Sequence, residues 1–140
     1  MDKPSFSPYE EIEHTADLAL RVRGNTLQEL FVNAARGMFY LMYEDELPEA
    51  AATERAVQLE SLDMETLLVD WLNELLYLAD AHQEAFSRVA LSELQPTRLK
   101  AQVGGSKAAR LKKVIKAATF HGLSIAHSDS GYTVDIIFDV

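Results

Sequence analysis

Cysteine is absent from the 140 residues, which removes any disulfide framework and any thiolate metal site and agrees with a reducing compartment. Histidine is scarce as well, with four residues. No long apolar run occurs: the richest stretch, Met64 to Ala81, is interrupted by Asp70, Asn73, Glu74 and Asp80, so it predicts a buried helix and not a membrane span. The opening Met1-Asp2-Lys3-Pro4-Ser5 lacks the charged-then-apolar pattern of a secretory leader. A soluble, cytoplasmic protein is expected, with no membrane partner. Basic residues are few, 13 against 22 acidic for a net charge of −9, and such a chain repels phosphate backbones at long range. There is no Walker-type loop, no GxGxxG after a strand, no zinc-protease histidine pair and no GxSxG elbow. Gly104-Gly105-Ser106-Lys107 lacks the spacing to cradle a phosphate.

What is present is a core. At 48% hydrophobic content, residues 1–140 suffice for a single compact domain. Tyr9 to Ile12 and Leu18 to Arg23 alternate as strands joined by the polar segment Glu13 to Asp17. Thr26-Leu27-Gln28-Glu29 matches a capping box, and Leu27, Leu30, Phe31, Ala34, Ala35, Met38, Phe39 and Met42 recur at helical spacing behind it. Arg55 to Glu60 alternates as a third strand. Asp63 is placed to cap a second helix, whose apolar positions around Trp71 cover more than one face and predict a seat between layers. Beyond Ala85, strands are expected at Phe86 to Leu94, Thr97 to Val103, Val114 to Phe120, Leu123 to Ala126 and Tyr132 to Val140, with Gly104-Gly105 among the breaks. Strands in series without intervening helices favour antiparallel pairing. The fold class is therefore α+β, with two main helices packed on mainly antiparallel β-sheet.

Charge is distributed unevenly. Residues 1–93 carry 19 acids and six bases, whereas Leu94 to Ser128 holds seven bases and no acid. This basic segment reads first as a solvated face, with RNA, a nucleotide or an acidic protein surface as alternatives. Asp17 in Glu13-His14-Thr15-Ala16-Asp17 and Asp139 in the closing Phe138-Asp139-Val140 are the acids with most chemical promise. The Asp139 side chain and the carboxyl of Val140 are adjacent hard oxygen donors, suited to calcium, magnesium or manganese. Strand alternation points Asp135 to the same side as Asp139. His14 and His121 border turns and are candidate proton carriers beside such an ion.

Several segments together resemble the archease family: Tyr9 to Asp17 (YEEIEHTAD), Gly24 to Met42 (GNTLQELFVNAARGMFYLM), Leu67 to Asp80 (LLVDWLNELLYLAD), Lys116 to Leu123 (KAATFHGL) and the Phe138-Asp139-Val140 ending. The resemblance spans nearly the whole chain. It implies an activator, not an enzyme: similar proteins assist the tRNA-splicing RNA ligase, promoting its guanylylation and repeated turnover. RNA and nucleotide are then met only indirectly, through the ligase. The resemblance further implies a divalent metal at Asp17, Asp139 and the terminal carboxyl, and a role in activation for Lys116. A metal-dependent hydrolase of phosphate esters or nucleotides, with His14 or His121 as base, is the alternative reading, and a general chaperone a third.

Overall fold

The computed structural model describes residues 7–13, 18–43, 47, 51–107 and 110–140. His14 and Asp17 lie outside the described residues. In chain order the elements are β1 (Tyr9–Ile12), β2 (Leu18–Gly24), α1 (Leu27–Met42), β3 (Thr53–Glu60), α2 (Met64–His82), β4 (Glu84–Gln95), β5 (Arg98–Lys107), β6 (Ala117–Thr119), β7 (Ala126–Ser128) and β8 (Gly131–Asp139). The class is α+β as the sequence predicts, but the strands divide into two sheets. One runs β1-β2-β8-β6, with β7 also pairing β8, and the other runs β3-β5-β4. Every pairing is antiparallel.

Both helices start where the capping signals lie. The Thr26 hydroxyl accepts the Glu29 N–H at 3.1 Å, and the Asp63 carboxylate accepts the Thr66 N–H at 2.8 Å, each satisfying an amide that the first helical turn leaves free. The Thr66 bonds also hold the Asp63 carboxyl below its ordinary value. The predicted apolar stripe of α1 is the buried one, including Leu30, Phe31, Ala34, Ala35, Met38 and Phe39. Helix α2 buries Leu67, Leu68, Val69, Trp71, Leu72, Leu75, Leu76 and Ala79, because it touches both sheets as well as α1. Trp71 is fully buried, and its indole N–H donates to the Phe31 carbonyl at 3.0 Å. One bond thus pins the two helices together at the centre of the core.

Expectations about the later strands need correction. Gly104 and Gly105 do not break the chain but lie inside β5. A Cβ at Gly105 would stand 2.7 Å from both the Ala85 carbonyl oxygen and a ring carbon of Phe86, so glycine is present there for close packing and not for a turn. Within Val114 to Phe120 only β6 is strand, and the strand expected at Leu123 to Ala126 forms at β7 instead. The core face of β8 consists of Val134, Ile136 and Phe138; Val140 is 44% exposed, since the ladder stops at Asp139.

Candidate functional site

Strand β8 is the middle of its sheet, and its carboxyl end gathers the candidate residues. On one side β2 pairs with it, Leu18 opposite Phe138, so the residue following Asp17 is matched to the residue preceding Asp139. On the other side β6 pairs Ala117 with Asp139, and the Lys116 N–H donates to the Asp139 carbonyl at 2.8 Å. The fold therefore brings Lys116, Asp139 and Val140 to one strand end. All three are exposed. Among the described residues, neither the Lys116 ammonium nor the Asp139 carboxylate has an ion-pair partner.

Helix α2 holds this end in place. The Asn73 amide donates to the Ala118 carbonyl at 3.2 Å, and its oxygen accepts the Ala118 N–H at 2.8 Å. A three-residue strand at a sheet margin needs such a partner for its outward backbone groups. In the sequence Asn73 is one of the polar residues that interrupt the apolar run of this helix. The signal that marks it is an amide between the buried Leu72 and Leu75, where a polar side chain calls for a specific acceptor and donor.

Two other predicted neighbours are not part of this group. Asp135 shares the outward face of β8, but both of its oxygens are bonded to the Arg21 guanidinium, at 2.8 and 3.0 Å. Arg21 and Asp135 are directly opposite in the β2–β8 register, so this is a cross-strand pair. Its hydrogen bonds raise the Arg21 pKa above the ordinary value. His121 lies in the turn after β6, beyond Thr119, whereas Asp139 is matched to Ala117 at the other end of that strand.

The described oxygen donors at the β8 end are the Asp139 carboxylate and the oxygens of Val140. They are hard donors on exposed residues, a set that suits calcium, magnesium or manganese and offers nothing to a soft cation. Among the described residues no cluster of three histidine, cysteine, aspartate or glutamate side chains surrounds them. Next to this end lies a cleft of about 760 Å³, lined by α2 residues including Asn73, Leu76, Tyr77 and Asp80 and by Leu111, Val114, Ile115 and Lys116. Lys116 belongs to both places.

The arrangement defines a class of small α+β protein in which two antiparallel sheets and two helices bring the backbones of a lysine and an acidic residue together at a strand end. A model of the Archease protein family (MTH1598/TM1083) matches residues 9–140. Protein archease of Methanosarcina mazei is 35% identical over 140 residues, covering 94% of this chain and 95% of the relative. Protein archease of Archaeoglobus fulgidus is 38% identical over 136 residues, covering 94% and 98%. The solution structure of Methanobacterium thermoautotrophicum protein 1598 superposes with a TM-score of 0.76 at 33% identity, over 95% of this chain and 99% of that one. An archease crystal structure from Thermotoga maritima, described as a possible chaperone, gives a TM-score of 0.63 at 24% identity over 100% and 98%; it shares the fold. The chain belongs to the archease family. No helix among the described residues is long and apolar enough to cross a membrane.

Proposed function

We propose that this protein is a cytoplasmic accessory factor that activates the tRNA-splicing RNA ligase, promoting guanylylation of the ligase and its multiple turnover. The observation that carries the reading is the 2.8 Å bond from the Lys116 N–H to the Asp139 carbonyl, which brings an exposed lysine to the strand end that carries an exposed aspartate in an archease-family chain. Asp17, Asp139 and the oxygens of Val140 form the divalent-metal site in this reading. The β2–β8 register supports it, because Leu18, which follows Asp17 in the sequence, is matched to Phe138, which precedes Asp139. A divalent ion held there would supply positive charge to phosphate oxygens in the ligase's nucleotide pocket. Lys116 adds a second cation, and the carboxylates orient the group they hold. The chain itself breaks no bond in this scheme.

A hydrolase would need a proton carrier at the acidic end; of its two candidate bases, His121 stands at the far end of β6 from Asp139, which favours the accessory role over a hydrolase that relies on His121, and His14 lies outside the described residues.

The test compares single-turnover with multiple-turnover ligation, with and without the purified chain. The wild-type chain is expected to restore repeated cycles, while Asp139→Ala and Lys116→Ala, folded by circular dichroism, are expected to lose most of that effect. Full activation by folded Asp139→Ala would refute the metal role.

A further inference from the structure

Residues 110–116 follow β5 and lead into β6 as a basic strap without regular structure beyond a single bridge, Leu111 opposite Tyr43. One end is fastened to α1: the Lys112 and Lys113 N–H groups both donate to the Met42 carbonyl, at 2.6 and 3.1 Å. The other end is fastened to β8 by the Lys116–Asp139 bond. Between the strap and α2 lies the 760 Å³ cleft. Its floor includes the buried Leu76 and Ile115, and its two walls expose large apolar side chains: Tyr77 at 65% on α2, and Leu111 at 47% and Val114 at 58% on the strap.

We propose that this cleft docks a segment of the partner ligase in which apolar side chains are flanked by carboxylates. The inference rests on the ligase-activating reading and names the surface through which it works. Apolar groups exposed on facing walls of one groove mark a protein contact. Charge selects the partner's sign. Lys107 and Lys116 line the cleft, and both are exposed and, among the described residues, pair with no carboxylate; Lys112, over the Tyr40 ring, and Lys113 add two exposed cations on the strap beside it, although the chain as a whole carries −9. Asp80 is the acid on the opposite wall, so the cleft has a basic side and an acidic side, and an acidic segment would lie against the strap. RNA fits less well, because the strap wall offers aliphatic Leu111, Val114 and Ile115 instead of stacking rings. Lys116 lines the cleft and neighbours Asp139, so a segment seated here carries its parent protein toward the β8 end.

The experiment titrates the full chain into its cognate RNA ligase and reads multiple-turnover ligation, separating half-maximal concentration from plateau. Tyr77→Ala, Val114→Glu and Lys113→Glu are each expected to raise the half-maximal concentration about tenfold while the plateau returns at higher concentration. Added salt is expected to weaken wild type more than Lys113→Glu. Asp139→Ala is expected to do the opposite, lowering the plateau. Because the altered side chains are exposed, thermal melts should match wild type, and Leu111→Ser provides a further exposed position if one melts early. Wild-type activation with unshifted half-maximal concentrations in Tyr77→Ala and Val114→Glu would overturn the docking site alone. Failure of the wild-type chain to activate would overturn the function and the docking site with it. Binding of labelled single-stranded RNA that Lys113→Glu abolishes would identify RNA as the occupant and overturn the protein segment.

Discussion

Asn73 engages both backbone groups of Ala118 with one carboxamide, and β6 has only three residues with which to resist fraying. Replacing it with alanine leaves a half-buried donor and acceptor unmet, a loss of about 1–3 kcal/mol. Asn73→Ala is expected to speed hydrogen exchange at the Ala118 amide and to weaken ligase activation by loosening Lys116, which follows the chain into β6. Glu84 is almost fully enclosed by contrast, held by two bonds from Arg55 at 2.8 and 3.1 Å. Those bonds hold its carboxyl below the ordinary 4.5. A carboxyl depressed by folding contributes stability that is present above its unfolded value and is lost as pH falls through its folded value. Glu84→Gln is therefore expected to cost about 2 kcal/mol at neutral pH. Denaturant melts should show its gap to wild type closing as pH drops below 4.5. Caps such as Thr26 and Asp63 were legible in the sequence because their partners lie three residues away. Asn73 and Asp135 were not, because their partners are 45 and 114 residues distant.

Helix α1 approaches the β1–β2 pair at Gly37, where a Cβ would stand 2.6 Å from the Leu20 side chain and 2.9 Å from the Cβ of Tyr9. Alanine gains about 1 kcal/mol of helix propensity over glycine, while forcing a methyl group into a packed contact costs about 1–3 kcal/mol. Overpacking should win, because Leu20 is fully buried and Tyr9 would have to move at its Cβ. Gly37→Ala is expected to lower the melting midpoint by several degrees. At this scale both helices and β1 to β3 were legible, since their periodicities are local. The later strands were read with less accuracy because β6 and β7 take only three residues each and share one margin of β8. Their extent is set by what β8 offers, a property of the assembled sheet. Gly104-Gly105 misled for a related reason: a turn signal and a tight-packing signal are the same letters until the facing ring of Phe86 is in place.

As a whole molecule the protein combines a negative net charge with a local row of cations, and its candidate site sets Lys116 at Asp139 through the β6–β8 pairing. Asp139 and Val140 were singled out from their own chemistry and Lys116 from family resemblance; that the fold brings them to one strand end is a product of sheet order. A ligand that binds only the folded state stabilises it by mass action, about 2.7 kcal/mol at a hundredfold excess over the dissociation constant. Calcium, magnesium or manganese is therefore expected to raise the thermal midpoint of the wild-type chain, a chelator to reverse the rise, and Asp139→Ala to abolish it. An equal rise in Asp139→Ala would place the ion elsewhere.

The indole bonded to Phe31 is the chain's single tryptophan, which gives the protein a built-in optical reporter. Sealed from water in the native state, Trp71 should emit toward the blue, and its shift to the red would time the parting of the two helices without any attached dye.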